Sequence, residues 1–270
     1  MIRRKIPYLH MTDEYLPFLK KLALEAGQAA LDIYQAAGSD LGIETKADQS
    51  PLTVADKASN DIICRGLEAL TGGSIPIISE ENKEIPWETR RTWTSCWLVD
   101  PLDGTKEFIR RNGDFTINIA LVENGEAVMG VVHVPVHGEL AWAVRGGGAF
   151  QEKDGRQHRL QAATYSDSDK GLSLVCSRSH MSGETTDFIA RFAEPQLVSR
   201  GSALKFLLVA SGKAHLYPRL APTMEWDTAA AQIIVEEAGG RVLEADSGNP
   251  LRYNKADLRN PSFIASGRPA

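Results

Sequence analysis

Apolar residues near the start of the chain recur at helical spacing, with Leu16, Leu19, Ala23, Ala26, Ala30 and Ile33 on one face. Thr12-Asp13-Glu14 supplies a capping hydroxyl and first-turn acids, which predicts a helix starting there and ending at Gly38, with Pro17 near enough to its start to be tolerated. Leu41 to Thr45 reads as a strand, followed by a polar loop through Pro51. A second amphipathic helix spans Thr53 to Leu70, with Ile62, Ile63, Leu67 and Leu70 on one side and Gly72-Gly73 as its stop. Ile75 to Ile78 is a short strand. Trp97 to Val99 reads as another, broken by Asp100-Pro101 because proline cannot continue a ladder.

The middle of the chain alternates instead of cycling. Phe115–Val122 and Ala127–Val134 are strands joined through Asn124-Gly125, a strong hairpin signal, and Leu140–Val144 adds a third strand to an antiparallel meander. Gly146-Gly147-Gly148 lacks the Lys-Ser/Thr of a phosphate loop and reads as a tight turn or bulge. From Leu172 the texture changes. Strands at Leu172–Cys176, Gln196–Ser199, His215–Tyr217 and Arg241–Leu243 alternate with helices around Thr185–Phe192, Ser202–Ser211 and Thr228–Ala238. The polar stretch Gln161–Lys170 divides the two textures. We therefore expect an α+β subdomain over residues 1–165 and an α/β subdomain over 166–270, sharing a cleft.

Composition narrows the class. The 270 residues are 43% hydrophobic and 24% charged, ordinary for a folded chain with a substantial core. A net charge of −5 gives no general attraction to nucleic acid, so an anionic ligand needs a local site. Cys64, Cys96 and Cys176 are odd in number, widely spaced and set in apolar surroundings, which argues for reduced thiols in a cytoplasmic protein. No run approaches the about 18 apolar residues of a spanning helix. Arg3-Arg4-Lys5 precedes no apolar segment; it leaves a weak peripheral association with a membrane surface open.

Chemistry gathers where elements end. In Asp100-Pro101-Leu102-Asp103-Gly104-Thr105 two carboxylates sit at a strand's end, and a turn at Asp103-Gly104 can present the Gly104 and Thr105 N–H groups to an anion. Taken alone, this stretch reads equally well as a solvated loop or as a magnesium and phosphate site. Ser79-Glu80-Glu81-Asn82 again places acids directly after an apolar strand. Asp56 falls in the first turn of its helix, where the helix dipole alone favours an acid. Asp227, in Glu225-Trp226-Asp227-Thr228-Ala229-Ala230-Ala231, stands at or just before a helix N-terminus, as an N-cap or as a ligand beside free N–H groups.

The order of these elements, Ser-Glu-Glu, then Asp-Pro-Leu-Asp-Gly-Thr, then Trp-Asp-x-Ala-Ala with its Glu-Ala-Gly-Gly tail, resembles the lithium-sensitive, magnesium-dependent phosphatases of the inositol monophosphatase superfamily. The resemblance runs from about Tyr15 onward. It implies a layered αβαβα sandwich of the sugar-phosphatase type and two or three Mg²⁺ ions. It also implies metal-binding roles for Glu80, Asp100, Asp103, Asp227 and the Leu102 carbonyl. Asp56 is similar to the acid that orients or deprotonates the attacking water, and Thr105 to its hydroxyl partner. One departure is Ala231, where the family commonly has glycine. Several hard cations would explain so many acids: they neutralise ester oxygens that otherwise repel a nucleophile.

Substrate choice falls to the second half. Ser177-Arg178-Ser179-His180, Gly201 to Phe206 and Tyr217-Pro218-Arg219 all lie at strand or helix ends, where α/β sheets bind ligands. With Lys106-Glu107-Phe108 they resemble the bacterial 3'(2'),5'-bisphosphate nucleotidase branch. That resemblance implies substrate contacts from Gly104, Thr105, Ser177, His180, Ser202, Lys205, Arg219 and Asp227. The implied substrate is a small nucleotide, adenosine 3',5'-bisphosphate, with its 3'-phosphosulfate precursor second and sulfur assimilation as the setting. Inositol monophosphate or another small sugar phosphate as substrate, or a catalytically idle nucleotide sensor, is the rival reading. Monomer and homodimer both stay open.

Overall fold

The computed structural model describes residues 9–36, 41–45, 51–82, 84–177 and 183–270. The first amphipathic stripe becomes α1 (Leu9–Gln35), which buries Leu19, Leu22, Ala23 and Ala26. It starts ahead of Thr12, so Pro17 lies inside the helix and not in its first turn. Only β1 (Glu44–Thr45) of the next expected strand is paired, antiparallel to β2 (Pro51–Leu52). α2 (Val54–Thr71) follows, capped by Thr53 and stopped by Gly72 in the left-handed conformation that suits glycine.

The seven-stranded sheet is built from β3 (Ile77–Ser79), β4 (Ser95–Asp103), β5 (Thr116–Glu123), β6 (Glu126–Val134), β7 (Glu139–Val144), β8 (Gly148–Lys153) and β9 (Arg156–Arg159), in that spatial order. β3 pairs parallel to β4 and the rest is an antiparallel meander, longer by β8 and β9 than the sequence pattern indicated. Two short helices were also illegible: α3 (Trp87–Arg90) between β3 and β4, and α4 (Thr105–Ile109) directly after Gly104. β4 does not stop at Val99. It continues to Asp103 through a bulge, since Asp100 faces Asn118 while Asp103 faces Thr116. Pro101 is tolerated because it sits in the bulge, past the end of the β3 pairing.

In the second half, β10 (Thr164–Tyr165) pairs parallel to β16 (Arg268–Pro269). The five-stranded sheet has the order β12-β11-β13-β15-β14, from β11 (Ser173–Ser177), β12 (Gln196–Arg200), β13 (Leu216–Arg219), β14 (Arg241–Glu244) and β15 (Phe263–Ser266). Its helices are α5 (Gly183–Ile189), α6 (Leu204–Ala210) and α7 (Glu225–Glu237).

Strand alternation sorts the layers. Ile117, Ile119 and Leu121 point to α1 and α2, whereas Ala120 and Val122 face the opposite core with α6 and α7. That second core reaches Val175, Tyr217, Val242 and Phe263 of the five-stranded sheet, and Phe188, Ile189 and Phe192 cover the sheet's outer face. The result is the layered αβαβα sandwich, with α7 held between two sheets. Small residues permit that approach: a side chain at Gly130 would strike the Ala230 backbone. Ala231 is buried in this layer at 1% exposure. Among the described residues, no helix is long and apolar enough to cross a membrane.

Candidate active site

The start of α2 fixes one end of the site. Asp56, 1% exposed, is the third residue of that helix, and its Oδ2 accepts the Thr53 N–H at 2.8 Å and the Thr53 hydroxyl at 2.6 Å. This reciprocal cap satisfies the structural role an acid has in a first turn. Its other oxygen is engaged elsewhere: the Thr105 hydroxyl donates to Asp56 Oδ1 over 3.2 Å. The structure therefore joins the two residues that sequence reasoning paired. Thr105 is available because Gly104, with φ of 98°, turns the chain from β4 straight into α4.

The β4 bulge sets Leu102 between Asp100 and Asp103. Ser59 of α2 donates to the Pro101 carbonyl at 2.6 Å, and the Leu102 N–H donates to Asp100 Oδ1 at 3.1 Å. Asp103 Oδ2 accepts from Asn118 Nδ2 at 3.4 Å, leaving the buried Asn118 Oδ1 without a hydrogen-bond partner. Glu80 opens a 3₁₀ turn after β3, which the Asn82 side chain fastens to the Ser79 N–H at 2.8 Å. Asp227 is the third residue of α7, not its N-cap, because the helix starts earlier, at Glu225; its Oδ2 accepts the Met224 N–H at 2.8 Å.

These acids share one environment. Burial raises Asp100 well above the usual carboxylate range, and the charges of Glu80, Asp103 and Asp227 raise it further. Burial likewise lifts Asp103 to about 6, opposed by Lys205, and Asp227 to about 7, reinforced by Asp103. Among the described residues no three acidic, histidine or cysteine side chains already form a closed ligand cluster. The donor set is nonetheless all hard oxygen, mutually repelling, with an orphaned amide oxygen beside Asp103. It fits divalent cations of the magnesium type.

A cleft opens beside Asp103 and Asp227, and Gly104, Ser202, Lys205 and Arg219 also line it. Lys205 is not a solvated helix residue: it is 7% exposed, and its Nζ donates to the Ser202 carbonyl at 2.6 Å. Burial pushes its amine down to about 8, against the pull of Asp103. Arg219 donates to the Pro222 carbonyl at 3.1 Å, while its buried Nε has no partner. Ser202 precedes the Ala203 cap of α6 and does not cap it; its hydroxyl lies 2.7 Å from the Asp103 carbonyl and 2.6 Å from the Asp114 carbonyl.

Ser177 ends β11, and His180 lies outside the described residues. The cleft also includes Glu107, Phe206, Tyr217, Thr223 and Phe263, and Asn118 and Asp114 sit behind it. Asn118 had a signal, as an amide inside the apolar run Thr116–Val122; Phe263 and Asp114 had none. Cys64 and Cys96 are held as thiols, since burial raises Cys64 to about 11 and Cys96 to about 12.

The sequence profile of the inositol monophosphatase family matches residues 11–269. The chain belongs to the inositol monophosphatase family. Members of this family are metal-dependent phosphatases, in keeping with the oxygen-rich site. The chain is 43% identical over 247 residues to the 3'(2'),5'-bisphosphate nucleotidase CysQ of Escherichia coli O157:H7, covering 91% of this chain and 97% of the relative. It is 44% identical over 244 residues to the Salmonella typhimurium protein of the same name, covering 90% and 96%. The crystal structure of CysQ from Bacteroides thetaiotaomicron superposes with a TM-score of 0.81 at 42% identity, covering 93% of this chain and 97% of that one.

Proposed function

We propose that this protein is a cytoplasmic, Mg²⁺-dependent 3'(2'),5'-bisphosphate nucleotidase. It hydrolyses adenosine 3',5'-bisphosphate to AMP and phosphate, with 3'-phosphoadenylyl sulfate as a second substrate. One observation supports the nucleotide reading above the others: the cleft that holds Asp103 and Asp227 also holds two cations, Lys205 and Arg219, set for an anion larger than one phosphate. The identity to bisphosphate nucleotidases over nine-tenths of the chain supports the same substrate.

Residues 1–165 form the metal-binding subdomain in this reading and 166–270 the substrate subdomain, with Asp227 crossing from the second to the first. Glu80, Asp100, Asp103, Asp227 and the Leu102 carbonyl would hold two or three Mg²⁺ ions, which would supply charge neutralisation for the ester oxygens, a more acidic water and stabilisation of the leaving alkoxide. Asp56 and Thr105 supply the base: Thr105, donating to Asp56, keeps its lone pairs for an attacking water, and Asp56 accepts the proton passed through that hydroxyl. The Gly104 and Thr105 N–H groups receive the scissile phosphate. Lys205 and Arg219 receive the rest of the nucleotide together with Ser202, Ser177 and His180. Turnover of adenosine 3',5'-bisphosphate with Mg²⁺, followed by phosphate release, tests the reading. Tight binding of the nucleotide with no phosphate released would instead mark a sensor.

A further inference from the structure

The substrate wall of the cleft is the turn from β12 into α6, and one residue that does not line the cleft holds it. Asp114, just ahead of β5, is 4% exposed. Its carboxyl Oδ2 accepts the Gly201 N–H at 3.0 Å, and its own carbonyl accepts the Ser202 hydroxyl at 2.6 Å. That hydroxyl also lies 2.7 Å from the Asp103 carbonyl, and the Ser202 carbonyl accepts Lys205 Nζ at 2.6 Å. Asp114 is fixed in turn by Asn112, whose Oδ1 accepts the Asp114 N–H at 3.0 Å.

The contact leaves no spare room. A Cβ at Gly201 would come within 2.7 Å of Glu107 Cγ and 2.8 Å of the Asp114 carbonyl, and one at Gly104 would strike Ser202 Oγ. Ser202 itself holds φ of 48°, a left-handed conformation that a serine keeps only where its surroundings impose it. A buried carboxyl at such a junction is costly unless hydrogen bonds compensate. Here they bind residues 87 and 88 positions apart in sequence.

We infer that Asp114 is a positioning residue for the substrate: through Gly201 and Ser202 it holds Lys205 in register with Asp103 across the cleft. The inference rests on the nucleotidase reading. The Asp114 carboxyl and carbonyl act on the Gly201–Ser202 turn of the substrate wall, so its loss falls on substrate binding before it falls on the chemical step.

Steady-state kinetics on the full chain with Mg²⁺ and adenosine 3',5'-bisphosphate test it. Asp114→Ala removes one buried hydrogen bond and loosens a second, so KM rises about tenfold while kcat stays within about threefold. Asp114→Asn keeps an oxygen for the Gly201 N–H and returns KM toward the parent value. Asn112→Ala, which removes the acceptor of the Asp114 N–H without touching the cleft lining, raises KM in the same direction, and it decides the matter if Asp114→Ala does not fold. A merely structural Asp114 would reduce the folded fraction, lowering kcat with KM unchanged, and that result overturns the inference. So does an Asn variant no better than Ala. A parent protein that leaves the bisphosphate intact defeats the nucleotidase reading itself, and the inference with it, before any variant is compared.

Discussion

The Thr105 hydroxyl donates to Asp56 Oδ1 over 3.2 Å, linking the helix that follows the glycine turn to the capped start of α2. Asp56 serves two ends at once. One carboxylate oxygen closes the cap with Thr53, and the other meets the hydroxyl at the edge of the acidic site. The dual use explains why the position reads as structural from its helix and as chemical from its partner.

Asp103→Asn should remove most activity, at least about a hundredfold in kcat, since it deletes a metal-binding charge. Its stability should not suffer. Burial already pushes Asp103 up to about 6, so a neutral amide relieves a strained ionisation, and Asn118 and Thr116 remain in place beside it. Activity assays paired with thermal melting check both halves; normal turnover in the variant would contradict the assigned role.

Lys205→Ala should weaken use of the nucleotide more than the metal chemistry. The expected outcome is a fall of about tenfold in kcat/KM for adenosine 3',5'-bisphosphate, about one lost charge-assisted contact, with a smaller change for p-nitrophenyl phosphate. Equal losses on both substrates would assign Lys205 to the acidic cluster instead.

Glu225 should be a stability residue. It is fully buried, and its carboxylate accepts the Asn254 N–H at 2.5 Å, the Lys255 N–H at 3.0 Å and Lys255 Nζ at 2.5 Å. Arg90 grips the same segment from the other side, through the Lys255 carbonyl at 2.9 Å and Asn254 Oδ1 at 3.0 Å. Glu225→Ala strands these donors, and we expect a loss of about 3 kcal/mol or more in urea unfolding.

His133 should make the protein weaker in mild acid. Its ring is buried, packs against Gly27 and bonds the Ala23 carbonyl at 3.0 Å, and burial depresses its pKa to about 4. The unfolded chain therefore binds the extra proton between about pH 6.5 and 4, and the stability held above that window is lost as pH falls. Between pH 7 and pH 5 the loss is about 2 kcal/mol. His133→Gln should flatten the profile by that amount, and the comparison cancels the opposite contribution of the raised carboxylates. An unchanged profile would contradict the assignment.

Period-two alternation in β5 to β7 and the helical stripe of α1 were legible because one face of each meets a core. The acids at element ends were legible for a related reason: a carboxylate after an apolar run interrupts a pattern. What stayed hidden depends on distant partners. β4 runs through Pro101 because a bulge against β5 absorbs it, and Lys205 is buried because Tyr217 and Phe263 arrive from β13 and β15. No local spacing around Asp114 announces that its partner lies at Gly201.

The central claim is that a metal phosphatase core has been fitted with a cationic wall for a nucleotide. Its most direct test is hydrolysis of adenosine 3',5'-bisphosphate and inositol monophosphate by the same Mg²⁺-loaded preparation, compared as kcat/KM. The bisphosphate should be preferred by at least about tenfold, the equivalent of one lost ionic contact. A clear preference for inositol monophosphate would contradict it.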